Sequence, residues 1–412
     1  MSSFSFLHAA DLHLDSPLRG LEADPRTAAR IRSATGDALQ RLVQLALDEK
    51  VAFVLLAGDL YDGDWRDYRT GHMLVEQLAK LERAGVRVLA ISGNHDADQV
   101  LTRQVRLPGK MFGSKQAETH ELPDWGVAVH GQSYATRAVT GNIARQYPPP
   151  RDGWLNIGLL HTACGSGEHE NYAPCTVEQL RDHGYDYWAL GHVHTRAVLH
   201  ERPWIVFPGN LQGRHVNEPG EKGATLVRVV DGRISALEHR TLDVLRWARV
   251  RVDVTGAATP DAVLTAAACA LSALPAHDVL MAVRLVLHGT TPAHAGLMRD
   301  PGRTRDDLRT AAAEAADSSA LWLEGVDIET RPVADLHALR SQPGAIGTLI
   351  AAVEDGAGLP GPVADFIAAL PPGILQMLGP DHPALRIAAG ELPSGLAHRA
   401  RDLLLAELAL QA

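Results

Sequence analysis

The chain has 412 residues, which allows two or three domains and a sizeable hydrophobic core. Hydrophobic residues make up 46% of it and charged residues 21%, the composition of an ordinary globular protein. The net charge of −10 excludes a general basic coat, so any nucleic-acid site must be a local patch on an acidic surface.

The cysteine content and the first residues favour a cytoplasmic protein. The three cysteines, Cys164, Cys175 and Cys269, form no CxxC pair, as is usual for reduced thiols in a cytosol. The N-terminal sequence MSSFSFLHAADLHLD lacks a basic stretch and reaches Asp11 before any long apolar run, which argues against a signal peptide. No apolar stretch of about 18 residues occurs, so we expect no membrane span.

Short apolar runs in the first half of the chain each end at a polar cluster. In order, FSFLHAADLHLD ends at Asp11 and His13, VAFVLLAGDLYDGD at Asp59, VRVLAISGNHD at Asn94, His95 and Asp96, LNIGLLHTACG at His161, and YDYWALGHVHT at His192 and His194. Amphipathic stretches with helical spacing, such as ATGDALQRLVQLALDEK and RTGHMLVEQLAKLERAG, lie between the early runs. This alternation predicts an α/β sheet whose polar residues gather at the carboxyl ends of the strands.

The second half of the chain predicts a hairpin and a separate module. GATLVRVVDGRISALEHRTL has the pattern of a hairpin around Asp231 and Gly232. Strand, helix, strand, helix and strand are then predicted for RWARVRVDVTG, TPDAVLTAAACALSAL, HDVLMAVRLVLHG, RTRDDLRTAAAEAAD and ALWLEGVDIETRP. Beyond Pro332, Ala/Leu-rich sequence predicts C-terminal helices that bury an apolar face. We therefore expect domains over 1–243, 244–333 and 334–412.

The polar strand ends form a candidate metal site. Asp11 and His13 are two positions apart, so on an extended backbone both point to one side, and the same holds for His192 and His194. The remaining strand ends supply Asp59, Asn94 and His161. Carboxylate, amide and imidazole ligands without a thiolate argue against a structural zinc site and favour Mn²⁺, Fe²⁺ or Zn²⁺ bound as a catalytic pair.

Each motif alone also has a structural interpretation. Gly-Asp is usually a turn, and a single His is more often part of a core than a ligand. Because the motifs recur in order, each directly after an apolar strand, a functional site explains them better than chance does.

The motifs together resemble a known family. Asp-x-His, Gly-Asp, Gly-Asn-His-Asp, a solitary His and Gly-His-x-His are similar, in order, to the motifs of calcineurin-like metallophosphoesterases over about residues 4–240. More narrowly, FLHAADLHLDSPLRGL and PGNLQGRHVNEPGEKGATLV resemble bacterial DNA repair exonucleases of the YhaO type, relatives of SbcD. The resemblance implies a four-layer αββα sandwich, a small βαβαβ capping module that helps to position DNA, and a two-manganese centre.

The resemblance also implies metal roles for the motif residues. One ion would be held by Asp11, His13 and His194, and the other by Asn94, His161 and His192. Asp59 would bridge the two ions, because two nearby cations repel each other unless an anion lies between them.

Other residues would act outside the metal shell. His95 would stabilise the developing charge or protonate the leaving oxygen, with Asp96 orienting its ring or serving only as a turn residue. Some nucleases of the family carry a second histidine where this chain has Asp62, so the chain departs from that pattern. Residues beside the motifs that could contact the DNA backbone are Arg19, Arg214 and His215, with surface solvation as the alternative for each.

The implied function is a metal-dependent exonuclease of DNA repair. The alternatives are a cyclic-nucleotide or phosphoprotein phosphodiesterase on the same scaffold and a non-catalytic scaffold subunit of a repair complex. The extra module favours the nuclease, whereas the net acidity points mildly the other way. The family commonly works with a separately encoded coiled-coil ATPase, and this chain has no Walker A pattern of its own. We also consider a homodimer.

Overall fold

The computed structural model describes most of the first 333 residues. The described ranges are 3–14, 16, 25–62, 68–97, 106–165, 172–274, 279–315 and 321–333, with a few isolated positions beyond them. Arg19 and the predicted C-terminal helices therefore lie outside the described residues. Within those ranges, no helix combines the length and the apolar character that crossing a membrane requires.

The N-terminal part alternates strands and helices, as predicted. Its strands are β1 (Phe4–Ala9), β2 (Phe53–Ala57), β3 (Arg87–Ile91), β4 (Lys110–Met111), β5 (Glu118–Leu122), β6 (Val127–Gly131), β7 (Leu155–His161), β8 (Tyr187–Gly191), β9 (Ala197–Glu201), β10 (Trp204–Phe207), β11 (Gly223–Val230) and β12 (Arg233–Thr241). Its helices are α1 (Pro25–Asp48), α2 (Tyr68–Arg83), the single turn α3 (Asn94–Ala97) and α4 (Val177–Arg181), with a 3₁₀ turn over Ile143–Gln146. Helix α1 begins at Pro25, nine residues before the predicted stretch, and Ile31 in this extension is fully buried.

These strands form two six-stranded sheets. The first has the order β12-β11-β1-β2-β3-β4 and the second the order β5-β6-β7-β8-β10-β9. Strands β1, β2 and β3 run parallel, and so do β6, β7 and β8, so the carboxyl ends within each group share one edge. The predicted hairpin is confirmed in β11 and β12, where Asp231 and Gly232 take left-handed φ values of 51° and 77°.

Buried side chains fill the space between the two sheets and cover their outer faces. Phe6 stacks on Phe53 with ring centroids 4.8 Å apart, and it meets Tyr187 of the second sheet edge-on at 5.5 Å. Because side chains alternate along a strand, Leu7 points the other way and joins the cluster that α1 and α2 cover. On the outer face of the second sheet, Trp188 packs in a cluster with α4. The predicted αββα sandwich is confirmed.

The remaining elements make up the βαβαβ pattern expected after residue 244. They are β13 (Leu245–Asp253), α5 (Pro260–Ser272), β14 (Leu280–Thr290), α6 (His294–Arg299), α7 (Pro301–Ala315) and β15 (Leu321–Arg331), with the sheet order β13-β14-β15. Thr259 caps α5 by accepting a hydrogen bond from the Ala262 amide at 3.3 Å. The short helix α6 was not predicted from the sequence. The pattern itself is confirmed.

Candidate metal centre

The parallel strand ends bring all of the predicted ligands to one place. Asp11 and His13 follow β1, Asp59 follows β2, and Asn94 begins α3 directly after β3. From the second sheet, His161 ends β7, while His192 and His194 follow β8. Close contacts between their side chains join these two groups across the sandwich.

The first group of converging atoms, which we call position 1, consists of Asp11, His13 and His194. One ligand atom from each lies within 4.8 Å of the others. The Nε2 atoms of His13 and His194 are 3.1 Å apart. Two imidazole nitrogens that bind the same ion, each at about 2.1 Å, stand roughly 3 Å apart. The observed spacing therefore suits one ion bound by both rings.

Position 2 consists of Asn94, His161 and His192. The Oδ1 atom of Asn94 lies 2.9 Å from His161 Nε2 and 3.2 Å from His192 Nδ1. The Nδ1–H of His161 donates to the carbonyl oxygen of Ala57 at 2.9 Å, which leaves its Nε2 as an acceptor that faces the site. These three side chains therefore also converge with lone pairs toward a common point.

Asp59 lies between the two positions. Its Oδ2 atom is 3.9 Å from His13 Nε2 of position 1 and 3.5 Å from His161 Nε2 of position 2. Its other oxygen, Oδ1, accepts a hydrogen bond from the backbone amide of His95 at 2.9 Å. One carboxylate oxygen is thus available to both positions, as a bridging ligand requires.

The electrostatics of the site fit bound cations. Asp11 and Asp59 are essentially inaccessible to solvent. Burial, together with the charge of Asp59, raises the pKa of Asp11 well above its ordinary range, and burial raises the pKa of Asp59 to about 6. Divalent ions would stabilise both carboxylates in their charged form, and an oxygen and imidazole donor set suits Mn²⁺, Fe²⁺ or Zn²⁺. The residues therefore fit two divalent metal ions.

The backbone at the site is bent to bring these side chains together. Left-handed φ values occur at Asp11 (52°), His13 (43°) and Asp59 (50°), and His192 has a φ of 106°. Gly93 is required by close approach, because a Cβ atom there would lie 2.2 Å from Asp59 Oδ1. The turns that present the ligands are therefore held against the preference of ordinary residues.

His95 belongs to neither position as defined above, although one of its ring nitrogens lies within 4.8 Å of ligand atoms of His13 and Asp59. Asn94 and His95 lie on a helical turn, in which the side chain of Asn94 is buried and that of His95 is not. The His95 ring meets the His13 ring edge-on with centroids 4.9 Å apart, and 29% of its side chain is exposed. An imidazole that is reachable from solvent and adjacent to the ligands can contact a bound phosphate.

The carboxylate of Asp96 is bound by the backbone of neighbouring turns. Its carboxylate accepts hydrogen bonds from the backbone amides of Gly93 (2.9 Å), Leu60 (3.1 Å) and Tyr61 (3.0 Å). The carboxylate that approaches the His95 ring is Asp62, whose Oδ1 lies 3.3 Å from His95 Nδ1. These hydrogen bonds fit the second of the two interpretations given for Asp96, that of a turn residue.

Comparison with known proteins identifies the family. The profile of calcineurin-like phosphoesterases matches residues 4–196, and that of the middle domain of metallophosphoesterase YhaO matches residues 247–331. The uncharacterized metallophosphoesterase YhaO of Bacillus subtilis (strain 168) is 37% identical over 346 residues, which cover 82% of this chain and 84% of that protein. The chain belongs to the calcineurin-like metallophosphoesterases. Its family places it among the hydrolases of phosphoesters.

This metallophosphoesterase also resembles proteins of DNA repair. The DNA double-strand break repair protein Mre11 of Methanopyrus kandleri is 26% identical over 228 residues, covering 49% of this chain and 48% of that protein. The Mre11 protein of Aeropyrum pernix is 35% identical over 272 residues, covering 60% of this chain and 63% of that protein. The matches thus span less than two thirds of either Mre11 protein.

The sequence did not predict the roles of Glu218 and Asp62 beside the metallophosphoesterase site, nor the position of Arg214 between them. Glu218, which was not predicted, lies 2.7 Å from His194 Nδ1 through its Oε1 atom. Asp62 was noted only as a departure from the family pattern. Arg214 donates to Asp62 at 3.3 Å and to Glu218 at 3.1 Å, so its guanidinium links the two carboxylates beside the site. His215 is half-exposed and lies 3.5 Å from Glu218.

Proposed function

We propose that this chain is a dimetal-dependent phosphodiesterase that acts as an exonuclease in DNA repair. The observation that carries the two-metal part is the position of Asp59 Oδ2, within 4 Å of a histidine nitrogen of each position. A carboxylate oxygen that lies between two neighbouring cations offsets their mutual repulsion. Membership of the metallophosphoesterase family limits the reaction class to phosphoester hydrolysis.

The proposed ligands follow the two positions. One ion would be held by Asp11, His13 and His194, the other by Asn94, His161 and His192, and Asp59 would lie between them as a shared ligand. Two such ions, when bound, lower the pKa of a shared water and offset the negative charge of the phosphodiester. We propose Mn²⁺ as the natural ion, with Fe²⁺ and Zn²⁺ as the alternatives that the same ligands would accept.

The chain's own residues supply the acid–base part of the reaction. His95 lies next to the ligand His13 and is reachable from solvent, so it can donate a proton to the leaving oxygen. Asp62 Oδ1 lies 3.3 Å from Nδ1 of the His95 ring, and this contact would hold the ring with Nε2 directed away from the carboxylate. The Asp59 contact to the His95 amide holds the backbone of the same turn.

DNA is the proposed substrate for two reasons. The Mre11 relatives are named for DNA double-strand break repair, and the module matched over 247–331 gives the chain more surface than a small phosphodiester needs. Contacts to the DNA backbone by Arg19, Arg214 and His215 remain part of this proposal. Arg214 would then contact DNA while it is paired with Asp62 and Glu218. We also propose domain boundaries near residues 243 and 333, a cytoplasmic location, a separately encoded coiled-coil ATPase partner and a homodimer as the assembly.

One set of assays separates this proposal from its alternatives. Purified protein is incubated with labelled duplex DNA and with bis-p-nitrophenyl phosphate, each with Mn²⁺ and with EDTA. Cleavage of both substrates only with Mn²⁺ supports the nuclease, whereas cleavage of the small ester alone favours a phosphodiesterase for another substrate. Absence of cleavage with metal bound would favour the scaffold alternative.

A substitution at the bridging residue tests the two-metal centre directly. Asp59→Ala should abolish hydrolysis and lower the bound metal, measured by elemental analysis, from two ions toward one or none. Asp152→Ala removes an exposed carboxylate in the same sandwich and serves as the control. It should keep full hydrolysis and both bound ions. Retention of both ions by Asp59→Ala would contradict the bridging assignment.

A further inference from the structure

The imidazoles of position 1 are supported by carboxylates. Glu218 Oε1 lies 2.7 Å from Nδ1 of His194, and Asp62 Oδ1 lies 3.3 Å from Nδ1 of His13. The third residue of this position, Asp11, is itself a carboxylate. Every side chain of position 1 is therefore either anionic or in contact with an anion on the side away from the site, and Arg214 pairs with both supporting carboxylates and lies 3.3 Å from His194 Nδ1.

The side chains of position 2 carry less negative charge. His161 donates its Nδ1–H to the backbone carbonyl of Ala57, which is a neutral acceptor. Asn94 offers a neutral amide oxygen where position 1 offers the Asp11 carboxylate. Apart from the oxygen that Asp59 shares between the positions, the ligand atoms named for position 2 belong to neutral groups.

We propose that position 1 binds its ion more tightly than position 2. Glu218 contributes to this difference as a positioning residue, because it holds the imidazole of His194. This proposal rests on the two-metal function proposed above and adds an order of filling to it. A carboxylate behind a ligating imidazole fixes the ring and makes its other nitrogen a stronger donor. Loss of such a partner usually weakens metal binding about 10- to 100-fold.

The surroundings of Glu218 hold its side chain in place. Its side chain is only 7% exposed, and its Oε2 accepts from Asn210 Nδ2 at 2.9 Å and from the Arg214 amide at 2.8 Å. Lys222 donates to the His194 carbonyl at 2.9 Å, so side chain and backbone of this ligand are fixed by one segment of chain.

A titration of the metal-free protein with Mn²⁺ alone tests the order. Free Mn²⁺ is followed by its electron paramagnetic resonance signal, which needs no turnover. The wild-type protein should bind two ions in separate steps whose dissociation constants differ by about tenfold or more. Asp11→Asn should remove the tight step, and Asn94→Ala should remove the weak one.

Glu218→Gln tests the positioning residue itself. It should raise the dissociation constant of the tight step about 10- to 100-fold and leave the weak step unchanged. The surviving weak step reports that the variant is folded. Glu221→Gln makes the same chemical change three positions away, where the carboxylate pairs with Arg246 at 3.1 Å, and should behave as the wild type does.

The outcomes separate this proposal from the function on which it rests. Equal dissociation constants in the wild type, or loss of the tight step in Asn94→Ala, would overturn the order of filling. A Glu218→Gln protein with both steps altered equally, or neither, would overturn the role of Glu218. If the wild type bound no Mn²⁺ at all, the proposed two-metal function itself would fail. Asp11→Asn and Asn94→Ala decide the order even if Glu218→Gln does not fold.

Discussion

The Oδ1 atom of Asp62 lies 3.3 Å from the Nδ1 atom of His95, and it is equally far from the Nδ1 atom of His13. One carboxylate thus contacts both the expected proton donor and an expected metal ligand. Burial would raise the pKa of Asp62, but hydrogen bonds from His13 and Ser16 and the charge of Arg214 hold it below its ordinary range. Asp62 therefore stays ionised and can stabilise a positive charge on either ring.

Asp62→Asn should lower kcat on duplex DNA by about 10- to 100-fold, because a neutral amide supports a protonated His95 less well. KM should change little, since the side chain faces the ring and not the substrate. The measurement is steady-state kinetics with saturating Mn²⁺, with the bound metal determined in parallel. Asp182→Asn removes an exposed carboxylate that pairs with its neighbour Arg181 at the end of α4, and it should leave kcat unchanged. A full kcat in Asp62→Asn would refute the role of this contact.

His95→Gln should leave both metal ions bound and the fold intact. Turnover of DNA should nevertheless fall by about 10²- to 10⁴-fold, the usual contribution of a positioned acid–base group. The loss should appear in kcat more than in DNA affinity, because the interaction strengthens in the transition state. It should be smaller for bis-p-nitrophenyl phosphate, whose leaving group needs little protonation. If metal were lost together with activity, His95 would be a ligand.

Asp96→Ala should destabilise the protein rather than act on turnover alone. The change leaves three backbone amides without the carboxylate that accepts their hydrogen bonds. Each unpaired buried amide costs about 1–3 kcal/mol, so the free energy of unfolding should fall by roughly 3 kcal/mol or more. Urea denaturation of the metal-free protein measures this, with the exposed Asp152→Ala as the control. Equal midpoints for the two variants would show that these hydrogen bonds contribute little.

His8 should make the folded state sensitive to acid. Its ring lies between the sheets, where Nε2–H donates to the Leu190 carbonyl at 3.1 Å and Nδ1 accepts from the Tyr187 hydroxyl at 3.0 Å. Burial lowers the pKa of His8 to about 3, although the Leu190 hydrogen bond acts in the other direction. Below its ordinary pKa of about 6.5, the unfolded chain takes up a proton that the folded chain does not.

The contribution of His8 to the free energy of unfolding should therefore decrease as pH falls from about 6.5 toward 3, by up to about 1.4 kcal/mol per pH unit. His8→Gln keeps one donor and one acceptor but cannot take up that proton. Urea denaturation at a series of pH values should give the variant a shallower slope over this range. Identical slopes for the two proteins would rule out His8 as a source of the acid sensitivity.

Much of the site could be predicted because its signals are local. Asp11 and His13, like His192 and His194, show the two-residue spacing and the preceding apolar run in the sequence itself. The strand order could not be predicted in the same way. The rule that functional residues lie at the carboxyl ends of parallel strands was nevertheless sufficient to group these residues. The βαβαβ pattern was likewise visible, since each element has a clear period.

The partners of these residues were harder to predict, because they come from distant parts of the chain. Glu218 meets His194 across 24 positions, and the amides of Leu60 and Tyr61 meet Asp96 across 36 and 35. Proximity in sequence left Asp96 open as either the orienting residue for His95 or a turn residue, and its hydrogen bonds from Leu60 and Tyr61 fit the second. Such contacts depend on tertiary packing, which no local pattern encodes.

The left-handed backbone at the ligands has a consequence for how such a protein changes over generations. At Asp11, His13 and Asp59 the left-handed φ values disfavour most residues with a side chain, by up to roughly 1–2 kcal/mol each and by less for Asp and His than for bulkier residues. Glycine at any of them would relieve that strain and at the same time destroy the site. Selection for thermal stability alone would therefore enrich inactive chains, and a lineage freed from the need for catalysis would gain stability at the very positions where it lost the ligands.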